Sequence, residues 1–372
     1  MAIDFALELD NIRLIPTPTN PGNTGKTNFL ISDPGNQTLV GNESLPIFTS
    51  PMPAIVDEEN WQVWAKEKIN PIIPRTAPIE VRTQSVGDVW TAFSVSEVYD
   101  LWLKTDQRGT GKQFHICIDC GNGGDMKMLE MCAKLKSLYK NQVIIMAGNI
   151  GNPNTIDSYC RAGIDYARVG IASGSLVDKD YFSHHYPMAS LLQEIEKKRK
   201  LLEAKNLPVT KVIADGGIKT PADVLKAISL GADYVMIGRQ FAELTEAAGT
   251  VYKKMKDPSQ PMKEWFEEVR ESDYMAIESG KIASRKFYRA YHGNTSPEVQ
   301  ALRAGFSDVN KWKAAKGNKT KMADASFEWI RITGTLDEWI KDLKEVAGYG
   351  FLMCGAEDWR TFKINSKYIP VL

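Results

Sequence analysis

The sequence predicts a (β/α)8 barrel, and three observations predict it. Short, apolar, β-rich runs recur eight times. Most are apolar on both faces, as parallel strands covered by helices must be. Helical patterns separate them, and eight strand–helix alternations suit a closed barrel. An open doubly wound sheet is the alternative, but no Gly-x-Gly-x-x-Gly follows the first strand.

The runs, in order, are PIFTSPM (46–52), NPIIPR (70–75), IEVRTQSV (79–86), FHICID (114–119), QVIIMAG (142–148), YARVG (166–170), KVIADGG (211–217) and DYVMIG (233–238). Between them, DEENWQVWAKEK (57–68) starts acidic and ends in lysines, matching the helix dipole. MKMLEMCAKLKSLYK (126–140) carries an apolar stripe at helical spacing. TPADVLKAISLGA (220–232) has Thr220 as N-cap, Pro221 in the first turn and Gly231 past the end. Residues 251–288 are charged and read as helical. Residues 289–325 are polar and rich in Gly and Lys, and read as a mobile loop. ASFEWIRITG then reads as a strand, and TLDEWIKDLKEVAGYG as an amphipathic helix ended by glycine. The expected division is a barrel core over 1–250, an insertion and mobile flap over 251–325, and a strand–helix tail over 326–372 packed on the barrel.

Composition narrows the function classes. The 372 residues hold 46 Lys plus Arg against 46 Asp plus Glu. A zero net charge argues against a generic nucleic-acid or membrane-surface binder, though not against a local anion pocket. No signal peptide and no run of 18 apolar residues is evident. The five scattered cysteines, Cys117, Cys120, Cys132, Cys160 and Cys354, suggest a reducing, cytoplasmic setting.

A barrel of this kind places its site at the C-terminal ends of the strands. The unusual residues fall there: Asp119-Cys120-Gly121-Asn122-Gly123, Gly170 to Ser175, Asp215-Gly216-Gly217, and Gly238-Arg239. Glycines at neighbouring strand ends let backbone N–H groups approach an anion. Arg239 would add a bidentate cation, and Asp215 would accept from ribose hydroxyls. The plainer reading is that these glycines only make tight turns.

IMAGNIGNPNTIDSYCRAGIDYARVGIASGS, HYPMASLL and VIADGGIKTPADVLKAISLGADYVMIGRQFAELTEAAG together resemble the IMP dehydrogenase/GMP reductase family. The likeness extends through LPIFTSPM, FYRAYHG and YGFLMCGA and covers most of the chain. Asp119-x-x-Asn122-Gly123, with no regulatory insert between strands two and three, is closer to the GMP reductase branch. The resemblance implies phosphate binding by Gly174, Ser175, Gly217, Gly238 and Tyr288. It implies ribose binding by Asp215 and contact with NADPH at Arg75, Asp119, Asn122 and Gly123. It assigns ammonia handling to Glu246, and implies a purine nucleoside monophosphate substrate and a homotetramer.

The family's catalytic cysteine is replaced by Val177, and the threonine two positions later by Lys179. Valine forms no covalent adduct with purine C2. Three readings stay open: a binding, regulatory or structural paralogue; a reductase with altered chemistry, in which hydride goes directly to the substrate without a covalent adduct or Lys179 is an amine nucleophile or proton donor; and a flavin barrel. Lys179 equally suits a solvated loop. Cys117-x-x-Cys120 lacks the second pair a zinc site needs. His184-His185 reads as surface, and His292 as part of the flap.

Overall fold

The structure is a computed structural model. It describes residues 6–18, 27–104, 113–174, 184–257, 260–269, 287–293, 296–304, 309–315 and 327–371. Eight parallel strands form the barrel: β1 (Ile47–Thr49), β2 (Ile72–Ile73), β3 (Trp90–Phe93), β4 (Phe114–Asp119), β5 (Val143–Ile150), β6 (Tyr166–Val169), β7 (Lys211–Asp215) and β8 (Tyr234–Ile237). β8 pairs with β1, and pairing runs from β8 back to β2 in unbroken sequence order. The last gap closes through Asn70, which bonds both ways with β1: Asn70 N to Ile47 O at 3.0 Å, and Thr49 N to Asn70 O at 3.0 Å.

Seven of the eight expected strand runs contain barrel strands. The third does not. Ile79–Ser85 is a helix following Pro78, and the third strand is Trp90–Phe93. The helix turns on Arg82, which is buried and donates to Ala77 O, Ala92 O and Glu97 Oε1 at 2.9, 3.0 and 2.7 Å. Tertiary anchoring of one arginine overrides the β-branched propensity of this run. The true strand is buried on both faces, so its Thr91 and Ala92 show no alternation.

Inward-facing residues form layers. Phe48, Trp90, Tyr166 and Tyr234 pack as tilted and edge-to-face aromatic pairs, with Trp90 and Tyr166 centroids 5.2 Å apart at 86°. Below them the loop after Ser32 plugs the N-terminal end. Asp33 is buried and accepts from Tyr166 Oη at 2.6 Å, Tyr234 Oη at 2.5 Å and Lys211 Nζ. Asn36 accepts from Trp90 Nε1 at 2.9 Å and donates to Asn70 at 2.6 Å.

The segment after the barrel departs from expectation. Val251–Asp257 (β9) and Gln260–Glu268 (β10) are strands, not helix. They join Phe287–His292 (β11) and Phe327–Arg331 (β12) in an antiparallel sheet of order β10-β9-β11-β12. Aromatics drive it: Phe266 stacks on Trp329 at 4.1 Å, and Tyr252 and Tyr288 pack edge-on to the pair. Exposed Lys253, Glu267 and Glu268 give these strands their charged look in the sequence. The expected loop holds β11 and two helices, Pro297–Arg303 and Val309–Ala315.

The long helix of the tail runs Leu336–Met353, through Gly348 and Gly350 rather than ending at them, and a short helix, Trp359–Asn365, follows it. A Cβ on Gly350 would strike Leu225, so this glycine allows close packing on the helix Pro221–Ser229. Gly355, at φ +62°, follows the helix end. Among the described residues, no helix is long and apolar enough to cross a membrane.

Candidate functional site

Strand alternation raises one more interior layer above the aromatics. Cys117 is followed by Asp119 on β4, Tyr166 by Arg168 on β6, and Ile213 by Asp215 on β7. Arg168 is buried and joins the other two. Its Nη1 is 2.8 Å from Asp119 Oδ1, and its Nη2 is 2.9 Å from Asp215 Oδ2. Asn149, after β5's Gly148, donates to the same Asp215 oxygen at 2.7 Å and to Gly170 O at 2.8 Å. Burial alone would raise the Asp119 carboxyl, but Arg168, Arg303 and Arg75 overcome it and hold the group below the ordinary carboxylate range. Burial likewise opposes the Arg168 charge, and Asp215 and Asp119 restore and deepen it. Sequence reasoning passed over Arg168. Its signal is a charged residue two places after an inward tyrosine in an otherwise apolar strand.

Around this layer the glycine turns meet. Gly216 and Gly217 have φ +99° and +78°, values that favour glycine. A Cβ on Gly216 would lie 2.9 Å from Ser173 and 3.0 Å from Gly174 N, so the β6 and β7 turns abut. Gly174 has no atom within 4 Å of its Cβ position and faces open space. The Ser173 hydroxyl beside these turns is buried and has no hydrogen-bond partner. Gln240, just after β8, reaches Ile218 O at 3.5 Å and ties the β7 and β8 ends together. Gly238 faces Ser50 and Tyr291: a Cβ there would lie 2.8 Å from the tyrosine oxygen.

Tyr291, not Tyr288, is the tyrosine that faces Gly238. The two are three apart on β11 and point to opposite sides. Tyr288 packs outward under Arg331, whose Nη2 is 3.2 Å from its oxygen. Arg239 is engaged by the added sheet: it makes two bonds to Glu328 of β12, at 2.6 and 2.8 Å, and one to Glu243 at 3.1 Å. Glu246 accepts from Leu336 N and Thr245 Oγ1, both at 2.9 Å, which sets its carboxylate at the N-terminus of the helix Leu336–Met353. Ser175, Val177 and Lys179 lie outside the described residues.

On the opposite side of the rim, Arg75 follows β2 and points at Asp119, with Nη1 3.4 Å from its backbone oxygen. Asn122 is exposed, and its side chain accepts from Gly124 N at 2.9 Å. Gly123 is buried instead. A Cβ would strike Tyr159 and sit 2.8 Å from Asn149 O, so packing explains this glycine. A cleft of about 770 Å³ opens beside Asp119 and Cys120, walled by Ser94, Tyr99 and Lys127. Burial pushes the Cys117 thiol up to about 12 and the Cys120 thiol up to about 11, so neither is a thiolate at neutral pH. His185 lies between Ile171 O at 3.0 Å and Glu8 at 2.7 Å.

Residues 104–266 match the IMP dehydrogenase / GMP reductase domain. The chain is 27% identical over 318 residues to a GMP reductase of Clostridium acetobutylicum, covering 82% of this chain and 91% of that protein. It is 25% identical over 345 residues to a GMP reductase of Oceanobacillus iheyensis, covering 90% and 98%. It is also 26% identical over 261 residues to an inosine-5'-monophosphate dehydrogenase of Chlorobaculum parvum, covering 69% of this chain and 45% of that protein. With the barrel, these similarities support the family, and a GMP reductase-like place within it.

Proposed function

We propose that this chain is a purine nucleoside monophosphate-binding barrel resembling GMP reductase, one that reduces the purine ring at C2 with NADPH by altered chemistry. The observation that carries the reading is the meeting of the Gly174 and Gly216–Gly217 turns beside the unpartnered Ser173 hydroxyl, with Gly238 at the end of the neighbouring strand β8. Glycine amides and an orphaned buried donor suit a phosphate dianion. In this reading Gly174, Ser175, Gly217 and Gly238 hold the monophosphate, Tyr291 walls it, and Asp215 accepts from the ribose. Asp215 is oriented for that by Arg168 and Asn149. Arg239 joins the phosphate only on leaving Glu328.

Arg75, Asp119 and Asn122 suit the dinucleotide: Asp119 borders an open cleft, Arg75 stands 3.9 Å from its carboxylate, and Asn122 is exposed three residues further on. NADPH supplies the hydride. The chain's part is to hold the purine face toward the cleft and to keep Asp119 ionised beside Arg168. Glu246 and Lys179 remain the proton-handling candidates. The assembly this reading carries is a cytoplasmic homotetramer.

A second reading, nucleotide binding without turnover, draws on Val177 and on the raised thiols of Cys117 and Cys120. Two assays separate them. GMP at millimolar concentration is expected to raise the melting temperature, as a native-state ligand must; no shift with any purine monophosphate sinks both readings. Incubation with GMP and NADPH, and separately with IMP and NAD, is then followed by reduced-cofactor absorbance. NADPH oxidation by GMP supports the reductase, and silence in both supports the non-catalytic reading.

A further inference from the structure

Two guanidiniums converge on one oxygen at the β2–β4 side of the rim. Arg75 follows β2, and Arg303 ends the helix Pro297–Arg303, far beyond the barrel in sequence. Arg75 Nη1 stands 3.9 Å, and Arg303 Nη2 3.6 Å, from Asp119 Oδ2. These are ion-pair distances, too long for hydrogen bonds. The other oxygen of Asp119 belongs to Arg168. Both side chains are largely covered, 23% and 20% exposed. The Nε of each is buried without a hydrogen-bond partner. Arg75 Nε is 3.8 Å from Glu97, whose carboxylate is already taken by Arg82 at 2.7 Å and Ser94 N at 2.6 Å. Among the described residues, Arg75, Arg82, Arg168 and Arg303 face only Glu97, Asp119 and Asp215 around this point.

We propose that Arg75 and Arg303 form an anion site that takes a phosphoryl group, with Arg303 brought to the rim by the segment that follows the barrel. A tetrahedral oxyanion seated between the two forks accepts from donors that Asp119 leaves unmet. It also balances the surplus cation. Burial, joined by Arg75 and Arg82 against the pull of Asp119 and Glu97, already presses the Arg303 guanidinium below its ordinary value. The phosphoryl group comes either from free phosphate or from the diphosphate of a dinucleotide in the adjacent cleft. The second source rests on the proposed function; the site itself does not.

The test is calorimetric titration of the full chain with inorganic phosphate, pyrophosphate, ADP and GMP. Arg303→Gln and Arg75→Gln are each expected to weaken pyrophosphate and ADP binding about tenfold or more, with GMP affinity unchanged. Arg303→Lys should lose less, because it keeps charge but not the fork. ADP binding tighter than phosphate assigns the dinucleotide source, and equal binding assigns free phosphate; either keeps the site. Wild-type affinity for pyrophosphate and ADP in all three variants overturns it. Should Arg303→Gln melt early, Arg303→Lys and Arg75→Gln carry the same comparison. Loss of GMP binding alone, with arginine-dependent pyrophosphate binding intact, sinks the proposed function and spares this site.

Discussion

The two ends of this barrel solve opposite problems with the same ingredients. Each buries acid against a ring of donors. At the N-terminal end the acid is Asp33, and the chain's own loop supplies it. Two tyrosines and Lys211 close around one carboxylate, and Asn36 and Asn70 finish the plug. At the C-terminal end the buried centre is a cation, Arg168, shared by Asp119 and Asp215. Around it stand glycine turns, an unpartnered hydroxyl and two under-used arginines. One end is filled by protein. The other keeps polar groups waiting, which costs stability and is retained where a ligand completes the site.

The largest expected effect breaks the upper layer. Arg168→Met removes a buried cation from two half-buried carboxylates and should cost about 3–5 kcal/mol in denaturant unfolding. A loss under 1 kcal/mol would mean that the acids are solvated there. Next comes acid sensitivity at the lower end. His115 is buried, accepts from Gln37 N at 3.2 Å, and burial lowers its pKa to about 4 from 6.5. The unfolded chain takes up a proton below pH 6.5, and the fold refuses it until about pH 4. Stability should therefore fall as pH drops through that window, by about 3 kcal/mol. His115→Gln should flatten the curve between pH 4 and 6.5, and an unchanged slope would place the acid response elsewhere. Tyr234→Phe, which removes one donor to Asp33, should cost about 1.5–3 kcal/mol without changing GMP affinity. Altered GMP binding there would join ends that are separate here. The smallest effect belongs to the half-buried Arg239–Glu328 pair. Glu328→Gln should shift stability by less than about 1 kcal/mol, while GMP binds more tightly as Arg239 is released. Weaker GMP binding would show that Arg239 serves the sheet and not the ligand.

The (β/α)8 plan was legible because strand and helix periods alternate and because parallel strands are apolar on both sides. Asp119, Asp215, Gly217 and Gly238 were legible as unusual residues at strand ends. The failures have a common physical cause. Ile79–Ser85 has strand-like residues, but Arg82's three distant acceptors fix it as helix. Val251–Glu268 reads as a charged helix, but aromatic contacts from β11 and β12 make it sheet. Tyr288 aligned with the phosphate, yet strand alternation turned Tyr291 inward.

The sequence alone determined what repeats locally: strand periods, the capped helix at Thr220, and turns that need positive φ at Gly216 and Gly217. These depend on backbone sterics and nearest neighbours, so a linear reading reaches them. Only the tertiary structure decided which charges meet. Arg168 between two acids, Arg303 beside Asp119, and Arg239 on Glu328 join residues 47 to 184 positions apart. Coulomb energy depends on distance and burial in space, and the order of residues along the chain carries neither.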